Sequence, residues 1–226
     1  MPHLRARQSD RVNVEPFIER FFGYGTWSAP VWFIGMEEGG GSSLAEVETR
    51  IETWRARGAN ELENLAEFHR AIGVTRHFGG RPALQRTWAK LIHVLFGLRG
   101  EVADTERVRI YQATRLGRHG GETALIELLP LPSPSTRDWL YREISDIPYL
   151  ATRESYRQHV APLRVWRLRE RIAQHRPQVV IFYGVAYRDW WSRIEGEPGT
   201  KFVTIPHPAS YGMTNQDFYD LGAAIR

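Results

Sequence analysis

Four short, largely apolar runs that end at glycine or proline constrain the fold of this chain more than any other sequence feature. The runs are Pro30–Met36, Thr123–Leu131, Val179–Tyr183 and Phe202–Ile205. A continuous apolar run of this length, with such breakers after it, is typical of a strand buried on both faces of a parallel sheet. Because parallel strands need a crossover connection, which is usually a helix, we expect helices between them.

Helical patterns fill the intervals between these runs. The segments that we expect to form helices are Glu15–Phe22, Leu44–Trp54, Glu61–Ile72, Leu84–Leu95, Arg153–His175, Val185–Ile194 and Asn215–Ile225. The sequence therefore predicts an α/β fold, a three-layer sandwich with a central four-stranded parallel sheet flanked by helices. We expect one domain over residues 1–226, in which residues 1–14 form a polar, basic arm.

Composition excludes several kinds of chemistry. The 226 residues include no cysteine, which excludes disulfides, a thiol nucleophile, cysteine-ligated zinc and iron–sulfur clusters. The eight histidines are scattered without the spacing of metal ligands, so we expect neither a metal nor another cofactor. No apolar run is long enough to cross a bilayer. We expect a cytoplasmic protein without membrane or protein partners.

The basic residues are almost all arginine. Of the 30 lysines and arginines only Lys90 and Lys201 are lysine, and the formal net charge is +4. Arginine binds phosphate bidentately and stacks on bases, and eight tryptophans add further stacking surfaces. The composition suits a nucleic-acid partner, although a bias toward arginine also arises without one and a charge of +4 is modest.

Carboxylates stand near the ends of the first two predicted strands. The first strand opens into Gly35–Gly41, which reads Gly-Met-Glu-Glu-Gly-Gly-Gly, and the second carries Glu127 before the proline-rich segment 130–134. Ligands of parallel α/β sheets bind outside the carboxyl ends of the strands. A glutamate in an apolar strand is costly unless it has a partner. The pattern fits a catalytic site. The alternatives are a plain turn with solvated glutamates, and a Glu127 that points at an edge or pairs with an arginine.

A histidine between two prolines follows the fourth predicted strand. The segment Pro206–Tyr211 reads Pro-His-Pro-Ala-Ser-Tyr, so the prolines restrict the orientation of His207. Its ring can donate a hydrogen bond to a developing anion, and the hydroxyl of Ser210 can bind a phosphate. A lone histidine is often structural, but a position opposite Glu37 across the sheet favours the catalytic interpretation.

The order of these motifs resembles that of the uracil-DNA glycosylase superfamily. Gly35–Glu37 stands where the family's first motif has a glycine after a strand and then an acidic or amide residue. His207–Ser210 is similar to the family's last, His-Pro-Ser-like motif, with one residue inserted. Val179–Ala186 looks like the family's third strand, and Gly80–Pro82 resembles a motif that precedes a helix.

The resemblance covers residues 31 to 219, with residues 42–78 as a helical insertion. It implies a single uracil-DNA glycosylase-like domain that acts as a monomer. It implies a monofunctional DNA glycosylase that flips a pyrimidine and hydrolyses its N-glycosidic bond, in DNA repair or anti-phage defence. The partner is DNA, either a duplex with a flipped base or a single strand. Glu37 would stabilise the sugar cation or orient water, and His207 would stabilise the departing base anion.

The same resemblance implies further site residues. Those expected to bind the base are Met36, Gly39, Phe78 and Glu127. Those expected to bind DNA are Arg81, Ser133, Ser210, Tyr211 and Met213, of which Tyr211 and Met213 would enter the duplex as a wedge.

Two departures from the family pattern bear on the substrate. Glu127 stands near the place of an asparagine that reads the uracil edge, and a carboxylate accepts from the amino group of cytosine but repels a uracil carbonyl. The glycines 39–41 leave room for a bulky 5-substituent. We therefore expect uracil or a 5-modified cytosine, such as glucosylated hydroxymethylcytosine. A non-catalytic nucleic-acid or nucleotide-binding module on the same fold, and a hydrolase of small nucleotides or nucleosides, are the alternatives.

Overall fold

Each of the four predicted apolar runs forms a strand in the computed structural model, which describes residues 12–135 and 137–226. In chain order the strands are β1 (Gly23–Tyr24), β2 (Val31–Glu37), β3 (Leu62–Glu63), β4 (Thr123–Leu129), β5 (Val179–Tyr183) and β6 (Lys201–Ile205). Most of the predicted basic arm, residues 1–11, lies outside the described residues.

Helices connect the strands as the periodicity predicts, with some differences. They are α1 (Glu15–Arg20), α2 (Leu44–Ala56), α3 (Leu65–Ala71), α4 (Arg86–Arg99), α5 (Thr105–Thr114), α6 (Tyr141–Ile144), α7 (Arg153–His175), α8 (Arg188–Trp191) and α9 (Asn215–Ile225). The predicted helix over 185–194 forms only as a 3₁₀ turn at Val185–Tyr187 followed by α8. The unpredicted α5 buries Val108, Tyr111 and Gln112, too few residues to produce a clear apolar stripe.

The sheet has six strands in the described residues, so the predicted count of four is wrong. The strand order is β3-β1-β4-β2-β5-β6, and β4, β2, β5 and β6 pair in parallel. β1 runs antiparallel to β4 and parallel to β3 at one edge. The two additional strands, β1 and β3, have only two residues each, which is too short for a periodic pattern in the sequence to reveal them.

The order of the four longer strands creates a crevice at their carboxyl ends. After β2 the chain adds β4 on one side and then β5 and β6 on the other side. Where crossovers leave a central strand in opposite directions, the carboxyl ends of the strands are left uncovered and form the usual ligand site of an open α/β sheet. The topology thus places the ends of β2, β4, β5 and β6 around one crevice.

Helix α7 is attached to the sheet by a buried arginine. The guanidinium of Arg164 is 1% exposed, lies 3.6 Å from the centroid of the Phe22 ring, and donates to the backbone oxygens of Glu127 (2.9 Å) and Leu128 (3.1 Å). Burial lowers the pKa of Arg164 to about 9. These hydrogen bonds satisfy carbonyl groups of β4 and fix α7 behind the strand that carries Glu127. No helix among the described residues is long and apolar enough to span a membrane.

Helices α4 and α9 pack backbone against backbone. A Cβ atom at Gly97 would lie 2.0 Å from the carbonyl oxygen of Tyr219, and one at Gly222 would lie 2.0 Å from that of Val94. From α4, the ammonium of Lys90 donates to the backbone oxygens of Pro208 (2.7 Å) and Met213 (2.9 Å). The helix pair therefore holds the loop that carries His207.

We expect Gly97→Ala to lower the free energy of unfolding by about 1–3 kcal/mol, because the added methyl group forces the two helices apart. Gly80→Ala is the matched control, since no described atom lies within 4 Å of a Cβ built at that exposed position. Its effect should stay within about 0.5 kcal/mol. Urea unfolding of both variants measures the difference, and equal midpoints would contradict the proposed backbone contact.

Candidate active site

A pocket of about 820 Å³ lies at the carboxyl ends of β2, β4, β5 and β6. Most residues that the sequence predicts for the site line it, namely Met36, Glu37, Gly39, Glu127, Ser133, His207 and Ser210. Its other walls come from α2 and from the segment that leads into α4. The predicted catalytic pair therefore shares one cavity.

Strand register explains why these side chains meet. Gly35 of β2 pairs with Glu127 of β4, and Ile34 pairs with Phe182, so Tyr183 of β5 follows beside Gly35. Side chains alternate between the faces of a sheet, and residues two apart share a face. The same face thus carries the carboxyl group, the phenol ring and, two residues beyond Gly35, Glu37.

The glycine at position 35 makes the central contact of the site possible. A Cβ atom there would lie 2.2 Å from the hydroxyl oxygen and ring of Tyr183. With hydrogen in its place, the tyrosine ring lies across β2 and its hydroxyl donates a 2.7 Å hydrogen bond to Oε1 of Glu127. The family-like glycine of the first motif therefore admits a buried Tyr183–Glu127 pair.

Glu127 is a buried acid with one satisfied oxygen. It is 8% exposed, and Oε2 is buried without a hydrogen-bond partner among the described residues. Burial raises the pKa of Glu127 to about 8, against the effect of the Tyr183 hydrogen bond, and the negative charges of Glu38 and Glu37 act in the same direction as burial. At pH 7 the group is therefore mainly a neutral carboxylic acid.

The raised pKa of Glu127 bears on which base the pocket can hold. As a carboxylate Glu127 would repel a uracil carbonyl, as expected from the sequence. A neutral carboxylic acid both donates and accepts hydrogen bonds, and in that form it can pair with the edge of uracil as well as with that of cytosine. The preference for a cytosine-type edge therefore stays a prediction.

Glu37 has a cationic partner. Arg153, at the start of α7, forms an ion pair with Oε1 of Glu37, and the same guanidinium donates to the backbone oxygens of Ser135 (2.6 Å) and Asp138 (2.9 Å). Burial raises the pKa of Glu37, and Arg153 opposes that shift. The second carboxylate oxygen, Oε2, is buried and has no hydrogen-bond partner among the described residues. One oxygen is thus held by the protein while the other is left for a ligand or a water molecule.

The neighbouring Glu38 has a structural role. Its carboxylate accepts from the Tyr24 hydroxyl (2.8 Å) and from Arg50 (2.8 Å), and Nε2 of His69 lies 3.4 Å away. Although burial opposes the shift, Arg50 and His69 lower the pKa of Glu38 to about 2. The carboxylate therefore fastens the end of β2 to α2 and α3.

His207 is arranged as a neutral hydrogen-bond donor. Its Nδ1 accepts a 3.0 Å hydrogen bond from the backbone N–H of Ala209, so the proton of the neutral ring is on Nε2. Burial lowers the pKa of His207, and the charge of Lys90 lowers it further. The ring therefore offers an Nε2–H group without a positive charge, as the predicted role at a departing base requires.

The glycine-rich loop after β2 is closed by a side chain of this protein. Glu46 of α2 accepts from the backbone N–H groups of Gly41 (2.8 Å) and Ser42 (3.0 Å) and from the Ser42 hydroxyl (2.8 Å). Two of the amide groups that could cradle a phosphate, those of Gly41 and Ser42, are therefore occupied. Gly39 borders open space, because no described atom lies within 4 Å of a Cβ built there.

The pocket has a different aromatic wall from the one predicted. Phe78 is buried, with 5.8 Å between its ring centroid and that of Trp88, and it is not among the residues that line the pocket. Trp88, His77 and Tyr187 line it instead. The expected contact between Phe78 and a base is therefore corrected, because the Phe78 ring is packed in the core next to the ring that borders the cavity.

The residues expected to contact DNA occupy different places. Tyr211 is fully exposed and Arg81 is exposed, both outside the pocket lining, whereas Met213 packs partly against the core. Ser210 lines the pocket. Ser133 is buried, and its hydroxyl donates to the backbone oxygens of Ser135 and Asp138, so this hydroxyl shapes the wall of the pocket.

Besides the wall residues Trp88, His77 and Tyr187, sequence reasoning did not assign Tyr183 or Arg153 to the site. Tyr183 was predicted only as the last residue of an apolar strand, although its place at the end of β5, beside a glycine of β2, was the available signal. Arg153 offered none, because it is one of many arginines and its contact with Glu37 joins segments that are 116 residues apart. No cluster of three or more metal-ligating side chains occurs in the described part of the chain.

We expect Glu127→Gln to change how stability depends on pH. A carboxyl group whose pKa is raised on folding contributes stability below its unfolded pKa, and this contribution is lost as pH rises through about 8. The free energy of unfolding of the wild type should therefore fall relative to Glu127→Gln between pH 5 and pH 8.5. Urea unfolding at both pH values tests this. Glu52→Gln, on the exposed face of α2, should show a constant difference.

Comparison with known proteins assigns no family to the chain. No family model matches the sequence, and no curated protein matches it either. The geometry of the pocket and the order of the motifs are therefore what bears on function.

Proposed function

We propose that this protein is a monofunctional DNA glycosylase, which accommodates a pyrimidine extruded from DNA and hydrolyses its N-glycosidic bond. The observation that carries the proposal is that Glu37 and His207 line the same pocket. One is a carboxylate with an unpartnered oxygen, and the other is a neutral imidazole with a free donor. The uracil-DNA glycosylase-like order of motifs supports the same conclusion.

The two groups suit the two charges that develop when the bond breaks. The sugar becomes positively charged at C1′, and the carboxylate of Glu37 stabilises that charge or orients the attacking water. The base departs with negative charge, and the Nε2–H group of His207 stabilises it. Arg153 keeps one oxygen of Glu37 in place, so the carboxylate needs little reorganisation during the reaction.

The pocket suits a pyrimidine with a 5-substituent. Its volume of about 820 Å³ lies in the range of sites for drug-sized ligands, which exceeds what an unmodified pyrimidine fills. The open space beside Gly39 provides room for a bulky group. Uracil or a 5-modified cytosine such as glucosylated hydroxymethylcytosine is the proposed substrate, in DNA repair or anti-phage defence.

Lysine chemistry has no support in the pocket. Neither Lys90 nor Lys201, both within the described residues, lines it. Lys90 donates hydrogen bonds to two backbone oxygens. Lys201, at the start of β6, donates to the backbone oxygen of Ile225. Cleavage by water alone, without a Schiff base, is therefore the proposed reaction.

DNA is favoured over a free nucleotide. Glu46 occupies the backbone amides of Gly41 and Ser42 in the glycine-rich loop, so these two groups are not open to the phosphate of a small-molecule substrate. Tyr211 projects fully exposed from the loop that follows His207, before Gly212 with its φ of +78°. An exposed aromatic ring beside the base pocket suits a wedge that fills the space of an extruded base.

We expect Glu37→Gln to abolish base release. The amide cannot carry the negative charge that stabilises the sugar cation, and turnover should fall by at least about 100-fold. DNA that contains uracil, cytosine, 5-hydroxymethylcytosine or its glucosylated form is incubated with protein, and alkali then converts abasic sites into strand breaks. Glu52→Gln should retain wild-type activity.

The same panel separates the proposed function from the binding alternative. Base release by the wild type that is lost in Glu37→Gln would support the glycosylase. Binding of DNA without base release from any substrate would overturn it, and would leave a non-catalytic nucleic-acid-binding module.

We expect Tyr211→Ala to reduce base release from duplex DNA by about tenfold or more. Without the tyrosine ring, nothing occupies the space that the extruded base leaves in the base stack, so the extruded state is less stable. Release of the same base from single-stranded DNA should change little, since no stack has to be opened. Trp166→Ala is the matched control, because Trp166 is an exposed aromatic residue on α7 outside the pocket lining. Equal losses on both kinds of DNA would contradict the wedge.

A further inference from the structure

We propose that Glu127 is the general acid of this site and donates its carboxyl proton to the leaving base. The inference rests on the proposed glycosylase function and adds a catalytic residue to it. It assigns the departing base a proton source in addition to the hydrogen bond from His207.

The hydrogen bond from Tyr183 determines which oxygen carries the proton. Oε1 of Glu127 receives the tyrosine hydroxyl at 2.7 Å and is therefore the accepting oxygen. Oε2 is buried and unpartnered in the described residues, so it is the oxygen left to bear the proton. Glu127 lines the pocket, and the proposal places the leaving base against it there. A buried polar atom without a partner is uncommon and calls for a functional explanation.

Every charged or titratable group around Glu127 can be assigned an effect. Glu37 and Glu38 at the end of β2 are negative and disfavour its ionisation, whereas Tyr183 of β5 favours it. Arg164 of α7 also favours ionisation, but its guanidinium is bound to the backbone oxygens of β4 rather than to the carboxyl group. Among the described residues the carboxyl group of Glu127 is thus bonded to a hydroxyl group and not to a cation, which favours its protonated form.

Glu37 and Glu127 have contrasting surroundings on the same face of the sheet. Glu37 is bonded to the guanidinium of Arg153, and Glu127 is bonded to a neutral hydroxyl group. Two carboxyl groups in different environments are the usual arrangement for acid and base roles in glycoside hydrolysis. The contrast assigns the carboxylate role to Glu37 and the acid role to Glu127.

For a cytosine-type base, the C1′–N1 bond breaks and its electron pair goes to the base, while the proton on Oε2 of Glu127 moves to N3. The base then leaves as a neutral molecule. Water forms the new bond to C1′ and releases a proton to Glu37. Glu37 then gives that proton to solvent, and Glu127 takes one up from solvent, which restores both groups. For uracil the proton goes to O4 instead.

The test compares leaving groups of different stability. DNA carrying uracil or 5-fluorouracil, and cytosine or 5-fluorocytosine, is treated with wild type and Glu127→Gln under single-turnover conditions. The glutamine amide retains the shape of the side chain and its capacity for hydrogen bonds, but its N–H groups are not acidic enough to protonate the base. We expect a loss of about 10²–10⁴-fold on the unsubstituted base. The loss should be smaller by at least about tenfold on the fluorinated base, because fluorine stabilises the departing anion and reduces the need for an acid.

A pH profile supplies a second readout. The wild-type rate should fall above about pH 8 as Glu127 ionises. In Tyr183→Phe the hydrogen bond that favours the ionised form is removed, so the descending limb should move to higher pH. A merely structural role of Tyr183 would lower the rate without moving that limb. Tyr183 is a positioning residue here, since it acts through Glu127.

The outcomes are distinguishable. Base release by the wild type with equal losses on the plain and fluorinated bases in Glu127→Gln, or an unmoved limb in Tyr183→Phe, would overturn the acid role and leave the glycosylase intact. Absence of base release by the wild type from every DNA would overturn the proposed function and the acid role together. Unfolding curves of both variants show whether they are folded at the assay temperature.

Discussion

The site depends on the contact between Tyr183 and Gly35. A side chain at position 35 would collide with the phenol ring, and without that ring across β2 the carboxyl group of Glu127 would have no described hydrogen-bond partner for either oxygen. A buried carboxyl group is tolerated in an apolar strand only when hydrogen bonds and protonation offset its lost hydration. The absence of a side chain at Gly35 thus makes room for the tyrosine ring that hydrogen-bonds to the buried carboxyl group of Glu127.

Three glutamates at the carboxyl ends of β2 and β4 differ in their pKa values because their hydrogen-bond and ion-pair partners differ. Glu38 has Arg50, His69 and Tyr24 around it and remains a carboxylate far below neutral pH. Glu37 has Arg153, and Glu127 has only a hydroxyl group. Residue type and burial are shared, so the surrounding charges decide which group is a structural anion, which is a poised carboxylate and which is an acid.

Much of the fold was predictable because its signals are local. The four apolar runs and the long helices follow from periodicity and breakers, and the predicted residues Glu37, Glu127 and His207 share a pocket because parallel strands end at one edge. The two-residue strands escaped prediction since they depend on pairing with distant segments. Arg153 escaped for the same reason. Phe78 was misplaced because sequence distance from a motif does not reveal which of two neighbouring rings, Phe78 or Trp88, borders a cavity.

The unpartnered oxygens of Glu37 and Glu127 favour a binding role over a purely structural one. Leaving a buried polar atom unsatisfied costs about 1–3 kcal/mol of folding free energy, and both glutamates line one pocket. The guanidinium Nε atoms of Arg50, Arg109 and Arg153 are also buried without a partner among the described residues, so the two carboxyl oxygens are distinguished by their chemistry and by their shared pocket. Acidic groups are strongly hydrated in water, and two of them with an unsatisfied oxygen beside one cavity favour a ligand that hydrogen-bonds to them when it binds.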